Sequence, residues 1–197
     1  ASAKTLDPDF DIQGFEWIDP FDDNHAELLD QFSRDMQAGT LFQTDRSAKV
    51  WRYRMSDPDY PNTSRLLATL ARGRIEAMIC VSISKEHKFN PPILEIEDFA
   101  IRPDLVIDPH ALLDAAAEIA KRSGLAKARL RYTRGLTEPG MEERRGWVLR
   151  HKTYSCCHGF ESRPGCLQDW AVGPMDGDFF FALRRPPQSA YVNKKSA

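Results

Sequence analysis

Three carboxylates lie close together in one short apolar segment of the chain. Glu95, Glu97 and Asp98 fall within residues 93–101, where apolar and acidic residues first alternate and the segment then closes on Phe99-Ala100-Ile101. The alternation predicts a half-buried strand, with Glu95 and Glu97 on one face and Asp98 on the other. A carboxylate held on a strand can accept a proton from a reacting group. Glu97 and Asp98 are the two carboxylates nearest the end of the strand.

The same acidic residues also allow a structural interpretation. Arg129 and Arg131 lie in a later segment that predicts a neighbouring strand, and an arginine there can pair with a carboxylate beside it. A simply solvated acidic face is a second structural explanation. Both alternatives to catalysis remain open at the level of sequence.

A group of cysteines and histidines near the C-terminus raises the question of a metal site or a nucleophile; its members are His151, Cys156, Cys157, His158 and Cys166. Zinc sites usually use cysteine pairs separated by about two to four residues. Adjacent residues of a helix point about 100° apart, so Cys156 and Cys157 do not form such a pair. We therefore predict no metal, and no partner that would orient a nucleophilic thiol is identifiable.

The acidic segment opens a strand–helix–strand unit. After the strand at residues 93–101, Asp108-Pro109 supplies a helix N-cap with proline at the first helical position. The helix is predicted from His110 to Ser123 because apolar residues recur there at intervals of three and four, and Gly124 is expected to end it. A second strand follows at Lys127–Tyr132. Such a unit brings its two strands into parallel pairing.

The rest of the chain supplies further strands and helices around this unit. Hydrophobic patterning and turn residues predict, in order, a strand at 15–18, a helix ending at Met36, a short helix at 46–54, hairpin strands at 65–71 and 75–84, a helix at 141–158, and strands at 160–170 and 179–184. The fold class is α/β, with a mixed, mostly antiparallel sheet, one parallel crossover and helices on both faces. We expect one domain at residues 15–186, between a flexible N-terminal segment (1–14) and a flexible tail (187–197).

Composition narrows the class of partners. The 197 residues are 42% hydrophobic and 28% charged, and the net charge is −2, so nucleic acid is a poor candidate partner. No apolar run approaches the roughly 20 residues that a membrane span needs. Four cysteines do not form a dense disulfide framework, which favours reduced thiols and a cytoplasmic location. The Phe179-Phe180-Phe181 run is expected to be sheet core, or an edge that a second copy covers in a homodimer.

Four motifs occur in a fixed order along the chain: the Trp51–Tyr60 segment before the hairpin, the Gly73–Met78 hairpin entry, Phe99–Pro103 at the end of the acidic strand, and Gly159-Phe160 after the last predicted helix. In order and spacing they resemble motifs of the GNAT superfamily of acyl-CoA-dependent N-acyltransferases. The resemblance in element order runs from about Phe15 to Arg185. It implies a GNAT-like fold for nearly the whole chain.

The resemblance also implies an activity and roles for particular residues. The expected reaction is acyl transfer from acetyl-CoA or another acyl-CoA to a small amine or an amino-sugar-like substrate. Glu97 or Asp98 would act as the base and Tyr154 as the acid toward the leaving thiolate. The acyl-CoA would lie against Phe99, Ala100, Ile101, Arg102, His110 and Ala111.

The loop that binds pyrophosphate in the family departs from its usual pattern here. Residues 105–111 contain no glycine, and Asp108 and Pro109 stand where glycines usually expose backbone N–H groups to phosphate. Proline lacks an N–H, and an aspartate adds negative charge beside the phosphates. The alternative function is therefore a catalytically degenerate GNAT-fold domain that binds a ligand or another protein.

Overall fold

The computed structural model describes residues 6–7, 10–38, 42–56, 64–84, 92–130, 147 and 170–171. Its strands are β1 (Glu16–Ile18), β2 (Phe42–Gln43), β3 (Ser64–Ala71), β4 (Arg74–Ile83), β5 (Leu94–Ile101), β6 (Ala128–Leu130) and β7 (Trp170–Ala171). Its helices are α1 (Asp23–Gln37), α2 (Ala48–Met55) and α3 (Pro109–Arg122). The predicted helix at 141–158, the strand at 179–184 and the C-terminal tail lie outside the described residues.

Five strands form one mixed sheet in the order β1-β3-β4-β5-β6. The β1–β3, β3–β4 and β4–β5 pairs are antiparallel, whereas β5 and β6 are parallel and are joined through α3. This arrangement confirms the predicted fold class, a mostly antiparallel sheet with a single βαβ crossover among the described strands.

The hairpin between β3 and β4 turns at Arg72 and Gly73. Both residues have positive φ, 52° for Arg72 and 70° for Gly73, as a tight two-residue hairpin turn of the I′ type requires. Glycine adopts this conformation without steric cost, and a Cβ added there would meet nothing within 4 Å. Backbone conformation therefore explains this glycine.

Helix α3 begins and ends as the sequence predicts. The side chain of Asp108 accepts a hydrogen bond of 2.9 Å from the backbone N–H of His110, and Pro109 is the first helical residue. Gly124 follows the helix with a φ of 63°. One face of α3, carrying Leu112 and Ala116 among others, is buried against β4 and β5.

Helices cover both faces of the sheet. One core lies between the sheet and α3 and includes Ile79 and Ile96. The other lies between the sheet and helices α1 and α2, where Phe32, Trp51 and Met78 are among the buried side chains. We call the surface of the sheet that packs against α1 and α2 the α1/α2 face.

A second, two-stranded sheet was not predicted. In it β2 pairs in parallel with β7, Phe42 opposite Trp170 and Gln43 opposite Ala171. Two residues are too few to show a hydrophobic period, so β2 carries no sequence signal. Of the strand predicted at 160–170, only Trp170 lies among the described residues, and there it begins β7.

Two searches for other features apply to the described residues only. No helix in that part of the chain is both long and apolar enough to cross a bilayer. Nor do three or more histidine, cysteine, aspartate or glutamate side chains there converge as metal ligands.

Candidate functional site

Strand β5 carries a β-bulge at Glu97. Asp98 is opposite Cys80 and Ile96 is opposite Val81, so Glu97 is the extra residue at this shift of register. A bulge places two successive residues of one strand opposite one residue of its neighbour. The alternation is broken at this point, and Glu97 and Asp98 both lie on the α1/α2 face. The prediction that Asp98 points to the opposite face from Glu97 is therefore wrong.

Glu97 is buried and held by side chains of two neighbouring strands. Ser82 donates a hydrogen bond of 2.5 Å to its Oε1, and Ser64 donates one of 3.0 Å to its Oε2. The Sγ of Cys80 lies 3.7 Å from the same Oε2. Ser64 and Ser82 are opposite each other in the β3–β4 ladder, so their hydroxyls lie side by side and each binds one oxygen of Glu97.

Asp98 has a different kind of partner. Its Oδ2 and Oδ1 accept hydrogen bonds of 2.7 and 2.9 Å from Nε and Nη2 of Arg46. The side chains of Asp98 and Arg46 are 0% and 4% exposed, so this is a bidentate ion pair in the interior. A carboxylate engaged in this way is a poorer candidate for a base than its neighbour Glu97, because its oxygens already accept from a permanent cation.

Arg46 lies in the segment that precedes α2, and the contacts of this segment place its side chain against Asp98. The backbone N–H of Arg46 donates to Ser33 Oγ at 2.9 Å, and Ser33 Oγ lies 2.9 Å from Asp45 Oδ1. The N–H of Ser47 also donates to Asp45, at 2.8 Å. Burial raises the pKa of Asp45, but the hydrogen bonds from Ser47 and Ser33 outweigh it, and the pKa lies below its usual value.

The lowered pKa of Asp45 predicts a pH-dependent contribution to stability. A carboxyl that is more acidic in the folded than in the unfolded chain stabilises the fold above its unfolded pKa of about 3.9, and this contribution is lost as the pH falls through the folded value. We expect Asp45→Asn to flatten the loss of stability below about pH 4. Urea unfolding of the wild type and the variant from pH 6 to pH 2.5 measures the free energy of unfolding at each pH. If the two proteins lose stability in parallel as the pH falls, Asp45 makes no such contribution.

The third carboxylate of the acidic strand pairs with β6. Arg129 donates through Nε to Glu95 Oε2 at 3.0 Å and through Nη2 to Oε1. The structural interpretation offered by the sequence is therefore correct for Glu95. The parallel pairing of β5 with β6 covers Leu94 to Ile96, so Glu97 is the next residue of β5 after the described ladder.

Of the candidate acyl-CoA contacts, four continue along β5 and just beyond it. Phe99 and Ile101 pack toward α3, and Ala100 is buried on the α1/α2 face. Arg102 is bound to Asp104 by hydrogen bonds of 3.0 and 2.5 Å, and its Nε lies 3.8 Å from Asp35. The hydrogen bond with Asp104 raises the pKa of Arg102 and lowers that of Asp104.

The other two candidates lie in the first turn of α3. The N–H of His110 is taken by the side chain of Asp108, and that of Ala111 donates to the Asp108 carbonyl at 3.1 Å. The Nδ1 of His110 is buried and meets no hydrogen-bond partner among the described residues. A carboxylate of the chain itself thus occupies the position at which a helix N-terminus would bind phosphate.

Sequence reasoning missed three residues of this site. Ser64 and Ser82 are polar residues inside apolar strands, a signal that marks a buried polar contact without identifying its partner. Arg46 lies 52 residues from Asp98, and nothing in the local sequence links the two. Tyr154, the predicted acid, lies outside the described residues.

The fold can be compared with solved structures. The chain matches a GNAT family acetyltransferase from Staphylococcus aureus subsp. aureus with a TM-score of 0.52 and 15% identity, over 73% of this chain and 97% of that one. For an aminoglycoside acetyltransferase from an uncultured soil metagenomic sample, the TM-score is 0.50 and the identity 15%, over 74% and 97% of the two chains. An integron cassette protein from the mobile metagenome of V. cholerae gives 0.51 and 11%, over 74% and 91%.

At identities this low, the structural similarity shows the fold of the chain alone. No protein-family model matches the sequence, and no curated protein matches it. The protein has the GNAT fold.

Proposed function

We propose that the protein is an acyl-CoA-dependent N-acyltransferase that acts on a small amine, with Glu97 as its general base. The observation that carries this proposal is the buried carboxylate of Glu97, placed by the bulge on the α1/α2 face directly after the ladder to β6 and held by Ser64 and Ser82. An acyl-CoA such as acetyl-CoA would be the co-substrate. A small amine or an amino-sugar-like compound would be the acceptor.

In the proposed reaction the amine nitrogen attacks the thioester carbonyl. Glu97 takes the proton that the nitrogen loses as the new N–C bond forms. The C–S bond breaks, and coenzyme A leaves as a thiolate that takes a proton from an acid, a role for which Tyr154 remains the prediction. Because Glu97 is only 4% exposed, its charge interacts with a bound amine more strongly than it would in water.

Two observations favour the alternative, a ligand-binding or protein-interaction domain without transferase activity. The carboxylate of Asp108 caps α3, and Pro109 offers no N–H, so the helix N-terminus has fewer donors for a pyrophosphate. Arg102, a candidate cation for the phosphates, is engaged by Asp104 and Asp35. Both features weaken binding of a nucleotide diphosphate at this end of the sheet.

The two functions differ in their response to acyl-CoA. If the protein binds acetyl-CoA, a concentration of 100 times the dissociation constant should stabilise it by about 2.7 kcal/mol, an increase in melting temperature of roughly 5–10 °C. Thermal melts with millimolar acetyl-CoA and with a longer acyl-CoA measure this. ADP, which carries a diphosphate without a thioester, is the control. No increase with either thioester would contradict the transferase proposal.

Asp108 offers a matched variant for the same melts. Asp108→Ser keeps an N-capping hydroxyl and removes the negative charge. If the phosphates of the acyl-CoA lie at the start of α3, this variant should bind acetyl-CoA more tightly and show a larger increase than the wild type. Equal increases would place the phosphates elsewhere.

A further inference from the structure

We propose that Arg46 is a positioning residue for Glu97: its guanidinium neutralises Asp98 at the bulge of β5 and so leaves Glu97 as the carboxylate that exchanges a proton. The inference rests on the proposed role of Glu97 as base. It adds to that role a residue from outside the strand, which neither the sequence nor the fold class suggests.

The bulge creates the need for such a residue. Glu97 and Asp98 are consecutive, lie on the same face, and are 4% and 0% exposed. Two carboxylates that share a buried site cannot both ionise easily, and one of them then holds a proton to a higher pH. A cation in contact with one of the two carboxylates reduces the repulsion between their negative charges.

Arg46 supplies such a positive charge through a bidentate contact with Asp98. Its Nε and Nη2 donate to both oxygens of Asp98, and its Nη1 donates to the carbonyl of Thr44 at 3.2 Å. The hydroxyls of Ser64 and Ser82 donate hydrogen bonds to Glu97. The planar fork of a guanidinium fits a bidentate carboxylate, and a lysine would contact it as a point charge.

The position of Arg46 is itself fixed by neighbouring contacts. Its N–H donates to Ser33 of α1, and the N–H of Ala48 at the start of α2 donates to Asp30 Oδ1 at 2.8 Å. The guanidinium therefore comes from a segment anchored at both sides. A supporting charge held in this way can preorganise a reactive group without moving during the reaction.

Other charged groups in this region have their own contacts. Among the titratable and charged groups that the described residues place around this face are Cys80 from β4, the Glu95–Arg129 pair from β5 and β6, Asp30 and Asp35 from α1, Asp45 before α2, and Arg74 and Arg102 beside Asp35. Glu95 is paired across the β5–β6 ladder, and Asp35 with Arg74. A change at Arg46 or Asp98 therefore alters the charge at the bulge directly.

The test follows the proton on Glu97 by ¹³C NMR of the side-chain carboxyl, assigned by comparison with Glu97→Gln. In Arg46→Gln, which keeps an N–H for Asp98 but removes the charge, we expect Glu97 to take up its proton about one pH unit higher than in the wild type. In Asp98→Asn, which removes the negative charge, we expect the opposite displacement. The double variant should return close to the wild-type midpoint, and Arg46→Lys should stay near it.

Displacements of opposite sign would support the positioning role, whereas unchanged Glu97 midpoints in both single variants would overturn it. If Arg46→Gln alone does not fold, the double variant is compared with Asp98→Asn: a higher Glu97 midpoint once the guanidinium is removed supports the role of Arg46, and equal midpoints overturn it. Near-ultraviolet circular dichroism checks the fold of each variant. The readout needs no substrate, so failure of this proposal is distinguishable from failure of the transferase proposal.

Discussion

A Glu97→Gln variant is expected to transfer acyl groups roughly 10²–10⁴-fold more slowly than the wild type. The amide keeps the shape of the side chain and can still accept a hydrogen bond from Ser82, but it cannot take a proton from the attacking amine. Release of the coenzyme A thiol from acetyl-CoA, with a panel of primary amines and amino sugars, measures the rate. The thermal response to acetyl-CoA should be unchanged, because the substitution affects the reaction more than cofactor binding.

Glu95→Gln is the matched control for this prediction. Glu95 lies on the same strand and the same face, is 1% exposed, and is paired with Arg129. The same substitution there should leave the rate close to that of the wild type. A similar loss in both variants would mean that any buried carboxylate of β5 is needed for folding. Undiminished transfer by Glu97→Gln would remove Glu97 from the base role.

Local signals explain why most of the fold could be predicted from the sequence. Asp108 and Gly124 mark the two ends of α3, and Arg72-Gly73 marks the hairpin turn. Each of these features depends on a residue's own backbone preference or on a neighbour within a few positions. The apolar stripe of α3 and the alternation in β5 then orient the elements toward a shared core.

The candidate site could be predicted only in part, because two of its features are not local. A bulge is a property of two paired strands, and the shift opposite Cys80 and Val81 cannot be read from β5 alone. That shift moved Asp98 to the face of Glu97. The contact between Asp98 and Arg46 joins residues far apart in sequence, and no motif around either residue predicts the contact. Sequence therefore identified the carboxylates and missed the arginine that pairs with Asp98.

The ion pair at the bulge also predicts a large effect on stability. Arg46→Met is expected to lower the free energy of unfolding by about 3–5 kcal/mol, because it leaves the fully buried carboxylate of Asp98 without its charge partner. Urea unfolding at pH 7 measures the loss: the midpoint should fall, while the slope of the free energy of unfolding against urea concentration should stay the same. Replacing both partners, as in Arg46→Met with Asp98→Leu, should restore much of it, because two apolar side chains carry no desolvation cost.

Arg74→Met separates the effect of burial from that of ion pairing as such. Arg74 Nη2 lies 2.5 Å from Asp35 Oδ2, a separation no longer than that of Arg46 and Asp98, but its side chain is 45% exposed. Solvent screening limits such a pair to about 1 kcal/mol or less, and Asp35 keeps Arg102 as a neighbour at 3.8 Å. A loss at Arg46 no greater than that at Arg74 would show that the guanidinium is not needed to hold a charged Asp98 in the interior, and the electrostatic division between Asp98 and Glu97 would then have no basis.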